Sequence, residues 1–146
     1  MKVIFGCDPN ATKLKEDLMA FAQKNGHEVV DFGSDDPIYA NTAIKVAEAV
    51  ADGQGDRGVL LCGTGIGMSI AANKVRGAYA ALLTDVYSAQ RAVLSNNSNI
   101  ACIGAFTIGN MLAQTLLETW LDLEFDPNCR SKDKVDRYKE YDWARG

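Results

Sequence analysis

Arg57-Gly58-Val59-Leu60-Leu61-Cys62-Gly63-Thr64-Gly65-Ile66-Gly67 decides how the rest of the chain is read. A short apolar run, Val59 to Cys62, has the length of a buried strand. It passes without a polar turn into alternating glycines, and an apolar-periodic segment follows to about Lys74. Strand, glycine loop and helix in that order are the start of a β-α unit. In such a unit the loop's N–H groups can approach a ligand closely, and the helix N-terminus favours negative charge.

Working outward, the same alternation recurs on both sides. Residues 2–7 read as a buried strand ending at Asp8-Pro9-Asn10, with Thr12 capping a helix that places Leu14, Leu18, Phe21 and Ala22 on one face until Gly26 ends it. Residues 28–32 form a second strand. A helix starting at Asn41 or Thr42 turns Ile44, Ala47, Val50 and Ala51 inward. After the glycine loop come a fourth strand at 78–84, a helix at 86–94 and a fifth strand at 100–103. A helix over about 108–123 then carries Met111, Leu112, Leu116 and Trp120. Five strands interleaved with helices predict an α/β fold with a parallel sheet covered on both faces. The 146 residues fit one domain, 1–146. Residues 126–146 make a polar tail with Tyr138, Tyr141 and Trp143 at near-helical spacing, expected to pack on the domain or on a neighbouring subunit.

Composition narrows the function. A net charge of −4, without any run of Lys or Arg, argues against nucleic acid and anionic membrane as partners. The first five residues are too short for a signal-peptide core, and no stretch is long enough for a membrane span. Cys7, Cys62, Cys102 and Cys129 lie far apart with no C-x-x-C pair, as expected of reduced thiols in a cytoplasmic protein. One histidine and no paired-ligand spacing argue against structural zinc.

In a parallel sheet ligands bind beyond the carboxyl ends of the strands, where strand order reverses. That rule groups Asp8, Cys62 with its glycines, Asp85, and residues 95–99 as candidates for one site. At the strand end, beside N–H donors and a helix N-terminus, Cys62 is expected to hold more thiolate than an ordinary thiol. A thiolate base next to such donors suits proton abstraction α to a carbonyl, with the donors holding the resulting enediolate oxygen. Two plainer readings remain open: Cys62 as a small core residue beside a tight turn, or a dinucleotide-binding loop with Asp85 as the ribose-binding acid. The glycine pattern is G-x-G-x-G rather than G-x-G-x-x-G and follows the third strand, not the first.

The run from Cys62 to Lys74, preceded by Asp56-Arg57-Gly58, resembles the type B ribose-5-phosphate isomerase family, which includes the galactose-6-phosphate isomerase subunits. Gly6-Cys7-Asp8, the stretch from Gly26 to Gly33, and Lys45 to Val50 are similar too, so that the resemblance covers about residues 1–125. It implies a Rossmann-like three-layer αβα sandwich, a homodimer or dimer of dimers with a shared active site, a sugar-phosphate substrate, and no metal or organic cofactor. It also implies that Cys62 is the base, that Thr64 assists ring opening, and that the amides of Gly63, Gly65, Ile66 and Gly67 stabilise the enediolate. Asp8 and Tyr39 then line the sugar site, Ser95 and Asn96 contribute across the dimer interface, and Arg130 and Lys134 meet the phosphate. The chain departs from the family pattern at Pro9 and Ser95, where histidines are usual, and at Phe106 and Lys134, where arginines are usual. His27, at the start of the second strand, cannot replace the missing ring-opening histidine. Ser95-Asn96-Asn97 and the stretch from Phe125 to Ser131 are similar to the branch linked to erythrulose 4-phosphate. Ribose 5-phosphate is thus the expected substrate, with a tetrulose phosphate second and a non-catalytic phosphate- or nucleotide-binding module as the rival from another class.

Overall fold

The computed structural model describes residues 1–145. Its five strands are β1 (Lys2–Cys7), β2 (Glu28–Asp31), β3 (Arg57–Cys62), β4 (Ala80–Leu82) and β5 (Ile100–Gly104). The helices are α1 (Thr12–Lys24), α2 (Tyr39–Ala51), α3 (Ile66–Ala72), α4 (Val86–Leu94), α5 (Asn110–Asp122) and α6 (Lys132–Ala144). All strand pairs are parallel, in the order β2-β1-β3-β5-β4. Helices cover both faces, which makes a Rossmann-like αβα sandwich.

Alternation along the strands sorts the core into two layers. Val3, Phe5 and Cys7 of β1 and Val59 and Leu61 of β3 face α1, α4 and α5. Ile4, Leu60 and Cys62 face α2 and α3. The sulfur of Cys62 therefore points toward the α2–α3 layer.

Several boundaries differ from the sequence reading for local reasons. Asp8, not Thr12, makes the first cap: its Oδ1 accepts from the Asn10 N–H at 3.0 Å, closing a 3₁₀ turn over Pro9–Ala11 before α1 begins. Thr12 is the first residue of α1, and its hydroxyl donates back to the Pro9 carbonyl. The edge strand β4 pairs on one side only and is shorter than expected. Tyr79, ahead of it, gives its N–H to the Asn99 side chain, and the Asn73 amide exchanges two bonds with the main chain of Ala80. In α2 the buried face is Thr42, Ala43, Val46, Ala47, Ala49 and Val50, leaving Ile44 and Ala51 exposed. In α5 it is Ala113, Leu116, Leu117, Trp120 and Leu121, so Met111 and Leu112 are exposed. Tail helix α6 is fixed by Asp142, whose Oδ2 accepts from the Gly77 N–H at 2.8 Å and the Tyr79 hydroxyl at 3.0 Å. Its Tyr141 and Trp143 remain exposed.

Candidate active site

Strand order reverses between β1 and β3, because β1 leads outward to β2 while β3 leads the other way to β5 and β4. The crevice beyond their carboxyl ends is the expected ligand position in an open α/β sheet. Asp8 and Cys62 stand on its two sides, joined by the Asp8 N–H donating to the Leu61 carbonyl at 3.0 Å.

The glycine loop follows Cys62 and folds back over it. Gly65 takes a left-handed φ of 78°, which glycine adopts without steric cost, and this turn brings its N–H to the Cys62 Sγ at 3.1 Å. The Ile66 N–H turns to Thr64 Oγ1 at 3.3 Å. The N–H groups of Gly63, Thr64 and Gly67 find no acceptor among the described residues. These are donors at the start of α3, where orphan N–H groups attract an anion. The other side of the loop rests on β5. The Ala105 and Phe106 N–H groups donate to the Cys62 and Gly63 carbonyls at 2.8 and 2.9 Å. Gly104, opposite Cys62 in register, lies so close to Thr64 that a Cβ there would come within 2.6 Å of its carbonyl carbon. Tyr39, the first residue of α2 and 41% exposed, lays its ring over Gly67; a Cβ at Gly67 would come within 2.6 Å of the Tyr39 hydroxyl.

Cys62 itself is 5% exposed. Its sulfur meets the Gly65 N–H within the α2–α3 layer, while Thr64 and Ile66 of the loop and Tyr39 against Gly67 are exposed. Cys7 and Cys102 show no exposure at all. Burial pushes the Cys7 thiol up to about 11, and burial, with a smaller effect from Cys62, pushes the Cys102 thiol up as well. Both stay neutral at ordinary pH. The acidic groups of the rim divide between capping and the crevice. Asp85 caps α4, accepting from the Ser88 N–H at 2.7 Å and from the Ser88 and Thr84 hydroxyls. Those bonds, led by the one from the Ser88 N–H, hold its carboxyl below the usual range. Asp85 is therefore committed to the helix start. Asp8 gives one oxygen, Oδ1, to its turn, and no bond to Oδ2 is made by the described residues.

The sequence grouping of residues 95–99 with Cys62 is corrected. These residues precede β5 rather than follow it, so they lie at the amino end of the sheet. Ile100 pairs with Gly58 and Gly104 with Cys62, a separation of four residues, or about 13 Å along the strand. There Ser95 Oγ accepts from Arg91 Nε at 2.7 Å, and the Asn96 carbonyl accepts from the Tyr138 hydroxyl. The tail begins at this end too, where Cys129 Sγ lies 3.8 Å from the Leu94 carbonyl. Arg130 and Lys134 are exposed and take part in no ion pair among the described residues, while Lys132 pairs with Asp136 instead. His27 contacts the N-terminal amine at the amino end of β2. One chain thus brings together Asp8, Tyr39, Cys62, Gly63, Thr64, Gly65, Ile66 and Gly67, and holds Ser95, Asn96, Arg130 and Lys134 apart from them.

The carboxyl-end rim carries no lysine or arginine in residues 8–11, 32–39, 63–67, 83–86 or 105–109. A cavity of about 570 Å³ lies elsewhere, between α4, α6 and β4, lined by Tyr79, Arg91, Asn96 and Tyr138. Its polar groups are largely spent on one another, since Arg91 serves Ser95 and Tyr138 serves the Asn96 carbonyl. The chemistry-bearing groups are at the crevice, and we take that as the candidate site despite the larger volume elsewhere. Phe106, which the resemblance marks only as a departure from a usual arginine, is brought beside Gly63 by the β3–β5 register.

Residues 3–138 match the model of the family described as Ribose/Galactose Isomerase. The chain belongs to that family. Among members of the ribose/galactose isomerase family, it is 46% identical over 145 residues to "Ribose-5-P isomerase B" of Listeria innocua, covering 97% of each chain. It is 43% identical to "D-erythrulose-4-phosphate isomerase 2" of Mycolicibacterium smegmatis, covering 99% of each. The structure of Clostridium thermocellum ribose-5-phosphate isomerase B superimposes with a TM-score of 0.92 at 40% identity, covering 98% of each chain. No helix among the described residues is long and apolar enough to cross a membrane.

Proposed function

We propose that the chain is a sugar-phosphate aldose–ketose isomerase in which Cys62 moves the proton. The observation that carries this reading is the Cys62 sulfur at the switch point, receiving the Gly65 N–H at 3.1 Å beneath a loop whose neighbouring N–H groups are free. The thiolate removes the proton from C2 of the aldose, and the bonding pair forms the C1–C2 double bond of a cis-enediolate. Charge moves onto the carbonyl oxygen, where the Gly63, Thr64 and Gly67 N–H groups are poised to receive it. The cysteine then returns the proton to C1, and one proton passes from the C2 oxygen to the C1 oxygen, leaving the ketose. Nothing is gained or lost, so no oxidant, reductant or co-substrate is consumed, and with main-chain amides holding the oxyanion we infer a reaction without metal or organic cofactor. Asp8 and Tyr39 hold sugar hydroxyls, Ile66 and Gly65 shape the loop, and Thr64 assists ring opening.

A phosphate dianion needs cations; the loop segments of the rim around Cys62 carry none, and Lys15, near the end of β2, is buried and paired with Asp31. The functional unit we infer is a homodimer or dimer of dimers, cytoplasmic, in which a second copy brings Ser95, Asn96, Arg130 and Lys134 to this crevice. The exposure of Arg130 and Lys134, without an ion pair among the described residues, supports that arrangement.

Ribose 5-phosphate is the leading substrate, in keeping with the 46% identical relative. A four-carbon sugar phosphate is the second reading, favoured by the placement of the single histidine, His27, at the far end of the sheet. A tetrose phosphorylated at C4 has no hydroxyl free to close a furanose, so it needs no ring-opening acid. The 43% identical relative is consistent with this choice. The test is turnover of four-, five- and six-carbon sugar phosphates by the wild type and by Cys62→Ala. Activity of the wild type that vanishes in the variant supports the reading, and a Cys62→Ala protein with retained turnover ends it.

A further inference from the structure

Phe106 has no part in the roles given so far, yet it borders the reacting centre. It follows β5, whose last residue, Gly104, pairs with Cys62. Its N–H is tied to the Gly63 carbonyl at 2.9 Å, so its main chain is fixed to the loop. One edge of the phenyl ring then stands against Gly63: a Cβ at that glycine would be 2.9 and 3.0 Å from ring carbons Cδ2 and Cε2. The ring is nonetheless 72% exposed. The loop is already held by the main-chain bonds to residues 105 and 106, so a large apolar side chain is not required to seat it. Packing does not explain the ring either, since most of its surface stays in water. What it does is stand at the surface beside Gly63, the first residue of the donor loop, where it would wall the approach to the reacting carbons. A phenyl there offers neither charge nor a hydrogen bond, and it takes up room that substrate carbons beyond C2 would otherwise occupy.

We infer that Phe106 is a specificity-determining residue that limits the carbon-chain length of the sugar phosphate accepted beside Cys62; this rests on the isomerase reading above. A steric wall of this kind discriminates by roughly ten- to a few-hundred-fold per carbon unit. Truncating it therefore raises activity on longer chains relative to shorter ones, whichever of them the wild type prefers.

The experiment measures kcat/KM on four-, five- and six-carbon aldose phosphates for the wild type, Phe106→Ala and Phe106→Leu, with melting temperatures as a check on folding. The expected result is a rise of about tenfold or more in the ratio of longer to shorter substrates for Phe106→Ala, with Phe106→Leu between the two. A ratio within about threefold of wild type in an active, folded Phe106→Ala protein overturns the inference. An equal fall on every substrate overturns it too, because that is the mark of a residue that braces the loop. A wild type inactive on the whole panel is a different failure, that of the isomerase reading itself, and takes the inference with it.

Discussion

Gly104→Ala would drive a methyl group into the main chain of the loop above Cys62. The new Cβ would lie 2.6 Å from the carbonyl carbon of Thr64 and 2.7 Å from its Cα, where ordinary contact starts at 3.4 Å. Thr107 Oγ1 also stands in the way, but a hydroxyl can rotate aside and a main chain cannot. Relieving the overlap at Thr64 takes about 0.8 Å of loop movement, the difference between those two distances. Gly104 does not adopt a left-handed φ, so alanine adds no backbone strain and the effect is steric alone. Overpacking of this kind costs about 1–3 kcal/mol of stability, a fall of several degrees in melting temperature for a chain this size. Misplacing catalytic donors by about 1 Å costs on the order of a hundredfold in rate. Steady-state kinetics on the best sugar phosphate, run alongside thermal melts, should therefore show kcat down by about two orders of magnitude in a folded protein. Wild-type kcat in Gly104→Ala would mean that the loop's seat on β5 does not position the chemistry, and the geometric account of the site would be wrong.

Gly67→Ala probes the same loop from the other side: its methyl overlaps the half-exposed Tyr39 ring, which can swing outward. The helix gains up to about 1 kcal/mol from the loss of glycine, so stability should change little while KM rises severalfold, as kinetics and melts will show. Arg130→Ala and Lys134→Ala should each raise KM by about tenfold or more with smaller changes in kcat. If the cations come from a second copy, mixing Arg130→Ala with Cys62→Ala should restore part of the activity through mixed dimers. Asp142→Asn weakens the bonds that tie α6 to Gly77 and Tyr79 and should cost about 1–3 kcal/mol by denaturant unfolding. Burial alone would raise the Asp142 pKa, but the bonds from Gly77, Arg145 and Tyr79 outweigh it and hold the carboxyl below its ordinary value of 3.8. A carboxyl depressed by folding contributes stability above its unfolded pKa and loses it as pH falls through the folded value. The gap between wild type and Asp142→Asn should thus be full at about pH 6 and shrink as pH falls below 3.8.

How much was legible in the sequence follows the range of the forces involved. The strand from Arg57 to Cys62 and its glycine loop could be read directly, because a buried parallel strand is a continuous apolar run and the turn needs a left-handed residue at Gly65. The inward face of α2 was read only in part because apolar residues occur on more sides than the sheet covers: Ala47 and Val50 are buried, but Ile44 and Ala51 face outward while Thr42 and Ala43 are buried. Trp120 of α5 is fully buried, and the structure supplies the partner its indole N–H needs, Ser98 Oγ at 2.9 Å, which the sequence does not show. Residues 95–99 were put at the wrong end of the sheet because nearness to a strand in sequence was taken without regard to strand direction. Phe106 stood out in the sequence as a replaced arginine, but its contact with Gly63 needs the β3–β5 register, a pairing between residues some forty positions apart that local pattern does not record.

The measurement that tests the central claim most directly is hydrogen exchange into substrate in heavy water. Wild-type protein incubated with the preferred aldose phosphate in D₂O should give ketose carrying solvent deuterium at C1, and recovered aldose labelled at C2. Cys62→Ser, with a hydroxyl where the sulfur was, should lose that label by orders of magnitude while keeping its fold and its phosphate affinity. Labelling by Cys62→Ser at the wild-type rate would contradict the account, because the proton would then be moving through another group.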